Sequence, residues 1–224
     1  MSGSEPSSRE RERIIDVQTH FVPASAARLL ADYGASGGSF AGLAPNVTAA
    51  APIRGLGDRL LAMDLAGVDV SVLSFAPLSG IADPRFHASL CRAANDGLLE
   101  ACAAHPDRFV MTAVLPLGSP SAALAELDRI AGEDALRAMQ VVAGETLYRP
   151  EEGGFEACAA VSAELGLPVL LHPSAGTSDL APEFDVYGLG SGMHAMVSHA
   201  LVAARVIQPG MLDRIPRLEL VLTH

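Results

Sequence analysis

The chain has 224 residues, of which 50% are hydrophobic and 4% aromatic, with no Trp and a formal net charge of −11. This length suits one large domain or two small ones. The acidic balance argues against a nucleic-acid partner, because phosphate backbones are bound by basic surfaces. The sequence has no run of about 18 uncharged apolar residues, which argues against a membrane span. Its polar N-terminus does not resemble a signal peptide.

The three cysteines are Cys91, Cys102 and Cys158, and they fall in helix-like segments without CxxC spacing. This pattern predicts small buried thiols in a reducing compartment rather than a metal or disulfide framework. We therefore expect a cytoplasmic protein.

Short apolar stretches alternate with helical patterns along the chain. Residues 1–12 are polar and of mixed charge, which predicts a disordered tail before one domain over residues 13–224. The expected strands are 14–17, 68–74, 109–115, 138–142, 168–171 and 218–222. The expected helices are 24–33, 56–66, 83–105, 119–131, 154–165, 192–206 and 209–214. Residues 34–55 are rich in Gly, Ala, Ser and Pro, and we expect a long loop next to a site.

The expected strands are almost wholly apolar, as in a parallel sheet that is covered on both faces. Strand–helix alternation of this kind indicates a doubly wound sheet or a (β/α)8 barrel. No GxGxxG motif follows the first strand, which weakens the nucleotide-binding alternative. We favour an α/β fold of the (β/α)8 TIM-barrel type that is shortened after strand six, because six strands are expected and a closed barrel has eight.

Three expected strands end in a histidine, namely His20, His172 and His224. A single histidine at a strand end is more often a hydrogen-bonded structural residue than a ligand. Three of them on one rim favour a site, because the carboxyl ends of parallel barrel strands gather at the same face. Imidazole is a common ligand for zinc and similar divalent ions.

Gln18 and His20 are two residues apart in the first strand, so alternation places them on the same side. This spacing indicates a metal site, with His20 and His172 as ligands. Gln18 is a weak third ligand, because an amide oxygen is a poorer donor to zinc than an imidazole nitrogen.

Other polar residues are weaker candidates. Arg54 could hold a substrate carboxylate, because guanidinium pairs with carboxylates in a bidentate manner. Arg59 is expected on the surface, and Asp16 in a salt bridge or a catalytic role. His194 and His199 are five residues apart on one helix, and we expect them to be structural.

Five stretches resemble the amidohydrolase superfamily, in its branch of decarboxylases and hydrolases like aminocarboxymuconate-semialdehyde decarboxylase. The opening Ile15–Phe21, with sequence IDVQTHF, is similar to the Ile-Asp-x-His-x-His-Phe opening of the family. The other four stretches follow in the order and spacing of the family, and they are residues 59–68, 105–110, 166–173 and 215–224.

The resemblance implies a metal-assisted carboxy-lyase or hydrolase that acts on a small carboxylated, unsaturated or aromatic acid. It places Gln18, His20 and His172 at metal-ligand positions, and His224 where the family transfers protons or activates water. It also implies a divalent cofactor, zinc in the first place and manganese as the alternative, and a homodimer.

Two departures from the family pattern leave a second function open. Glutamine stands at the first ligand position, and the aspartate that follows strand eight in the family has no counterpart. The alternative is a catalytically silent, shortened chain that acts as a binding or oligomerisation partner and holds no metal.

Overall fold

The computed structural model of the protein describes residues 12–38, 55–75, 81–143, 154–173, 193 and 195–223. Six strands lie within these ranges: β1 (Ile15–His20), β2 (Val70–Ser74), β3 (Phe109–Val114), β4 (Leu136–Ala143), β5 (Val169–Pro173) and β6 (Leu220–Leu222). The helices of the same ranges are α1 (Ala24–Ala35), α2 (Leu56–Ala66), α3 (Pro84–Ala104), α4 (Pro120–Ile130), α5 (Phe155–Glu164), α6 (Ala195–Ile207) and α7 (Met211–Arg214).

The strands form one parallel sheet in the order β1-β2-β3-β4-β5-β6. This order confirms the barrel-type prediction over the doubly wound one, because a doubly wound sheet reverses its strand order at a switch point. Each strand pairs in the sheet with the next strand along the sequence, as in the first six units of a TIM barrel.

The expected elements that fall in the described ranges are present, but several of their boundaries differ by one to three residues. Strand β1 continues to His20 rather than ending at Val17, because Thr19 and His20 pair with Leu73 and Ser74 of β2. Helix α1 continues to Ala35, two residues beyond the expected end. The expected tail over residues 1–12 and the expected loop over residues 34–55 lie largely outside the described residues.

The signals that begin and end helices act as expected from the sequence. The carboxylate of Asp83 caps α3 and accepts hydrogen bonds from the backbone N–H groups of Arg85 and Phe86, at 2.9 and 3.3 Å, with Pro84 in the first turn. Helix α2 ends at Gly67, which has a φ of 71°. Such a left-handed conformation is accessible to glycine at no steric cost.

One face of the sheet packs against the helices and forms the hydrophobic core. This face contributes Leu73, Met111, Met139 and Leu171, each fully buried. Because side chains alternate along a strand, the intervening residues form the opposite, inner face. That face carries the buried polar residues Ser74, Thr112, Gln140 and His172.

A buried polar cluster joins α3, α4 and the end of β3. Asn95 is fully buried, and its side-chain amide pairs with both backbone groups of Val114, at 3.0 Å to N and 2.9 Å to O. The same amide donates to Glu126 Oε1 at 2.8 Å, and Arg129 donates to both oxygens of Glu126 at 2.6 and 2.8 Å. The cluster fixes the carboxyl end of β3 from the helix side.

Glu126 makes the stability of this cluster dependent on pH. Burial acts to raise the pKa of Glu126, but hydrogen bonds from Arg129 and Asn95 outweigh it and hold the pKa below its usual range. A carboxyl whose pKa is lowered by folding adds stability above its unfolded pKa of about 4.3, and this stability is lost as pH falls through the folded value. We expect the free energy of unfolding to fall more between pH 5 and pH 3 in the wild type than in Glu126→Gln. Urea unfolding of both proteins across this range is the measurement, and equal slopes would contradict the prediction.

The three cysteines are buried and unoxidised, as expected. Burial raises the pKa of Cys102 to about 12 and that of Cys158 to about 11, and it also raises the pKa of Cys91. Thiols with such pKa values are inert near neutral pH. No helix among the described ranges has the length and apolar character that a membrane crossing requires.

Candidate active site at the carboxyl rim of the sheet

The ring nitrogens of His20 and His172 meet at the carboxyl ends of β1 and β5. Their Nε2 atoms are 3.1 Å apart, and the ring centroids are 4.9 Å apart. Four strand spacings separate β1 from β5, which in a flat sheet would amount to about 19 Å. The sheet is therefore strongly curled, and the curl brings the two histidines together as the barrel prediction requires.

The opposite nitrogen of each ring is held by a neighbouring group. His172 Nδ1 lies 2.7 Å from the carbonyl oxygen of Pro173, and His20 Nδ1 lies 3.1 Å from Ser74 Oγ. A carbonyl only accepts, so Nδ1 of His172 carries the proton and its Nε2 presents a lone pair towards His20. Fixing the tautomer through the second ring nitrogen is the arrangement by which proteins orient metal-binding histidines.

An extra residue in β1 determines which face His20 occupies. From Asp16 to Thr19 the strand takes three residue steps, against two from Ser71 to Leu73 in β2. This irregularity is a β-bulge, and it reverses the alternation beyond it. Asp16 and Thr19 consequently pair with residues of the helix face, whereas His20 pairs with Ser74 on the inner face.

Gln18 lies beside His20, as the sequence predicted, with its side-chain nitrogen 3.5 Å from His20 Nε2. The oxygen and nitrogen of an amide exchange places by a half turn about the terminal bond, so the amide oxygen can face the same point. Gln18 therefore completes a group of three side chains with His20 and His172.

Asp16 closes the bulge and forms no salt bridge with any residue that the structure describes. Its carboxylate accepts hydrogen bonds from the backbone N–H of Gln18 at 3.2 Å and from the hydroxyl of Thr19. The first of these bonds satisfies the backbone N–H of Gln18, which lies in the part of β1 that the bulge removes from regular pairing with β2.

The expectation that Arg59 lies on the surface was wrong, because this side chain is only 7% exposed. Its Nη2 donates to the carbonyl oxygen of His20 at 2.7 Å, and its guanidinium lies 5.9 Å from the ring centroid of Phe21. The sequence shows only an arginine near the start of a helix, and no local pattern shows that this helix packs against the end of β1.

Strand β5 is held next to His172 by donors from α6 and from the residue after β6. The carbonyl oxygen of Leu171 lies 2.9 Å from His199 Nε2, and it accepts from Thr223 through Oγ1 at 3.0 Å and through N at 3.2 Å. His199 is 3% exposed and bonded to the backbone, which agrees with the expected structural role.

Two further polar residues of the inner face were not singled out from the sequence. Gln140 Nε2 donates to the carbonyl oxygen of Phe75 at 2.9 Å. Thr112 is fully buried, and its hydroxyl has no hydrogen-bond partner among the described residues. The sequence offered one signal for such residues, namely a polar residue inside an otherwise apolar strand, such as Gln140 in Ala138–Val142.

The three side chains at the rim fit part of a metal coordination shell. Two imidazole nitrogens that bind one zinc ion at about 2.0–2.1 Å in tetrahedral geometry are about 3.3 Å apart. The observed 3.1 Å between His20 and His172 is close to this value. Among the residues that the structure describes, no three His, Cys, Asp or Glu side chains form a metal-binding group. In these ranges the side chain beside the two histidines that could act as a further donor is the amide of Gln18. The predicted catalytic His224 and the predicted substrate-binding Arg54 lie outside the described residues.

Comparison with known proteins identifies relatives of the chain. Decarboxylase orsB of Emericella nidulans is 31% identical over 185 residues, which cover 77% of this chain and 54% of the relative. Gamma-resorcylate decarboxylase of a Rhizobium species is 33% identical over 186 residues, which cover 74% of this chain and 54% of the relative. The chain thus spans about half the length of these curated relatives.

Solved structures show the same architecture. The crystal structure of 5-carboxyvanillate decarboxylase LigW from Sphingomonas paucimobilis superposes with a TM-score of 0.77 at 24% identity, over 94% of this chain and 67% of that chain. The enzyme of the same name from Novosphingobium aromaticivorans, solved with bound manganese, gives a TM-score of 0.78 at 23% identity, over 95% of this chain and 66% of that chain. At this identity the likeness establishes the fold, which is the first six strands of a TIM barrel.

A family model described as Amidohydrolase matches residues 15–224, which includes the histidines of β1 and β5. The family model, the sequential parallel sheet and the curated relatives agree, and the chain belongs to the amidohydrolase family.

Proposed function

We propose that the chain carries the first six strands and the rim histidines of an amidohydrolase-type decarboxylase that acts on a hydroxylated aromatic acid. The observation that carries the proposal is the 3.1 Å approach of His20 and His172 at the carboxyl rim of a parallel sheet. The curated relatives are named as decarboxylases, one of them for gamma-resorcylate, and the two solved structures are named as 5-carboxyvanillate decarboxylases. These names support a carboxy-lyase over a hydrolase.

A divalent metal would be held by His20 and His172, with Gln18 as a weaker donor. Two imidazoles favour zinc, whereas an amide oxygen is also compatible with manganese, which is bound in the Novosphingobium enzyme. When bound, the metal would supply a Lewis acid for a carboxylate or phenolate oxygen of the substrate. The curled sheet and the hydrogen bonds to Ser74 and Pro173 orient the two rings towards one point.

The proton chemistry is assigned to His224 and carboxylate binding to Arg54. In the proposed reaction an imidazolium proton of His224 adds to the ring carbon that bears the carboxylate. The carbon–carbon bond then breaks, its electron pair returns to the aromatic ring, and carbon dioxide leaves. His224 directly follows Thr223, which is bonded to the residue before His172. This connection in sequence supports the assignment.

The test is a decarboxylation assay with purified protein, 2,6-dihydroxybenzoate and either zinc or manganese. We expect release of carbon dioxide and 1,3-dihydroxybenzene in equal amounts, detected by coupled gas measurement and chromatography. Other hydroxybenzoates that carry one carboxylate serve as further substrates. Absence of turnover on this substrate class, in protein shown to hold a divalent metal, would contradict the proposal.

The catalytically silent alternative rests on Gln18 at a ligand position. The relatives do not favour it, because they are named as decarboxylases. Metal analysis separates the two functions. Near-stoichiometric zinc or manganese in the purified chain supports the enzyme, and metal-free protein that stays metal-free after addition of either ion supports the alternative.

Substitution of Gln18 by histidine is expected to raise the affinity for zinc. The change replaces an amide oxygen by an imidazole nitrogen beside His20, and nitrogen is the better donor. We expect at least a tenfold decrease in the zinc dissociation constant, measured by titration calorimetry against a competing chelator. Gln140→His is the matched control, because Gln140 is bonded to Phe75 elsewhere on the inner face. Equal zinc affinities of Gln18→His and the wild type would count against the assignment of Gln18 as a metal ligand.

Three broader assignments belong to the same proposal. We propose a homodimer, which size-exclusion chromatography with light scattering would test. We also propose a cytoplasmic location, supported by three buried, unoxidised thiols. A small aromatic acid is the proposed partner, in keeping with the substrates for which the relatives are named.

A further inference from the structure

Arg59 contacts the end of β1 from helix α2. It belongs to α2 and is 7% exposed, and its Nη2 donates to the carbonyl oxygen of His20 at 2.7 Å. The guanidinium also lies 5.9 Å from the ring centroid of Phe21. One side chain therefore holds two consecutive residues at the carboxyl end of β1, and it does so through the backbone of His20.

The burial of Arg59 is costly for the fold. Its Nε atom has no hydrogen-bond acceptor in the part of the chain that the structure describes. Burial lowers the pKa of Arg59, and the negative charge of Asp16 opposes this change. Replacement of a whole buried ion pair by apolar residues of similar volume often costs no stability. A buried arginine with an unsatisfied donor is thus poorly explained by stability alone.

Arg59 and Asp16 act on the same irregular segment. Asp16 accepts from Gln18 N and from Thr19 Oγ1 and so closes the bulge. Arg59 holds the residue at which the bulged segment ends. Since the bulge determines that His20 faces inwards, a shift of its end would move the His20 ring relative to His172. The ring of His20 has little tolerance for such a shift, because its two nitrogens already lie 3.1 Å from Ser74 and 3.1 Å from His172.

We propose that Arg59 is a positioning residue, which fixes the Gln18–His20 end of β1 by holding the carbonyl of His20 from the helix side of the sheet. The inference rests on the proposed function for its catalytic readout. In this proposal Arg59 makes no contact with the substrate. Substitution of Arg59 should therefore affect metal affinity and kcat, whereas substitution of a carboxylate-binding residue should affect KM.

The experiment compares Arg59→Met and Arg59→Lys with the matched control Arg108→Met. Arg108 is also an arginine that donates to backbone carbonyls at the sheet, at 3.0 Å to Asp69 and 3.2 Å to Val68, but these residues precede β2 at the opposite end. Manganese and zinc affinities are measured by titration calorimetry, kcat and KM by the decarboxylation assay, and stability by thermal unfolding.

We expect Arg59→Met to lower metal affinity and kcat at least tenfold, with KM within twofold of the wild type. Arg59→Lys should lose at least threefold in metal affinity, because a single ammonium group does not reproduce a planar guanidinium that both donates to His20 and lies over the ring of Phe21. Arg108→Met should lower the melting temperature and leave metal affinity within twofold of the wild type.

Metal affinity of Arg59→Met within twofold of the wild type overturns the inference, as does an equal loss in Arg108→Met. If Arg59→Met does not fold, a metal affinity of Arg59→Lys equal to that of the wild type also overturns the inference. If the wild type neither binds metal nor turns over, the proposed function fails, and the inference is decided by the ring ¹⁵N resonances of His20 and His172. These should shift in Arg59→Met and stay in place in Arg108→Met, and unshifted resonances in Arg59→Met overturn the inference.

Discussion

Replacement of His172 by alanine is expected to remove metal binding and to lower decarboxylase activity by at least about a hundredfold. His172 is one of the two imidazoles that we propose as metal ligands among the described residues, and its Nε2 lies 3.1 Å from that of His20. Loss of a direct ligand should exceed the roughly 10- to 100-fold effect typical of groups that only orient ligands. Two quantities are measured. The first is the metal content of the protein after dialysis has removed the unbound ion, and the second is the turnover of 2,6-dihydroxybenzoate.

His105→Ala is the control for this substitution. His105 follows α3 at the end of the sheet where β3 begins, and its ring makes an edge contact with Phe109 at 5.9 Å. We expect this variant to retain metal and activity. Equal metal content in His172→Ala and the wild type would show that the histidine pair is not a metal site, while equal loss in both variants would point to unfolding.

Replacement of Asn95 by leucine is expected to lower the free energy of unfolding by about 3–5 kcal/mol, the range in which breaking a buried polar network falls. Leucine has a similar size but leaves Val114 N, Val114 O and one oxygen of Glu126 without the partner that Asn95 supplies. Each buried polar group left unsatisfied costs roughly 1–3 kcal/mol. Urea unfolding followed by circular dichroism measures the loss.

Asp96→Ala is the matched control, since Asp96 is the next residue of α3 and pairs with Arg129 at 2.8 Å in the same cluster. Its side chain is 46% exposed, so removal of this ion pair should cost no more than about 1 kcal/mol. A loss in Asn95→Leu that does not exceed the loss in Asp96→Ala would mean that the amide bonds to β3 contribute little to stability.

The architecture was predictable from the sequence because its signals are local. Apolar strands, glycine at the end of α2 and the Asp83-Pro84 cap of α3 act within a few residues of one another. The strand order followed from the position of the histidines at strand ends. The ends of β1 and α1 were misplaced, because pairing with β2 extends the first strand and packing against α3 continues the first helix beyond Gly34.

The site was predictable only in part. The pairing of His20 with His172 followed from two strand ends on one rim, a rule that does not depend on detailed packing. The roles of Arg59 and Ser74 were not predicted, because they arise from contacts with His20, 39 and 54 residues away in sequence. The side on which His20 lies depends on the bulge, which strict alternation along a strand does not include. The predictions for His224 and Arg54 remain predictions.

The bulge in β1 also constrains how this gene segment can change in length. If the bulge were lost at the present length, regular alternation would turn the imidazole of His20 into the helix layer. Removal of one residue between Asp16 and Thr19 would instead give a regular strand that keeps His20 opposite Ser74. One residue added would shift the partner of each later residue along β2. Length variation is usually tolerated in the loops of a barrel and rejected inside its strands. The extra residue between Asp16 and Thr19 makes β1 an exception, because the strand can shorten there by one residue and still present His20 on the inner face.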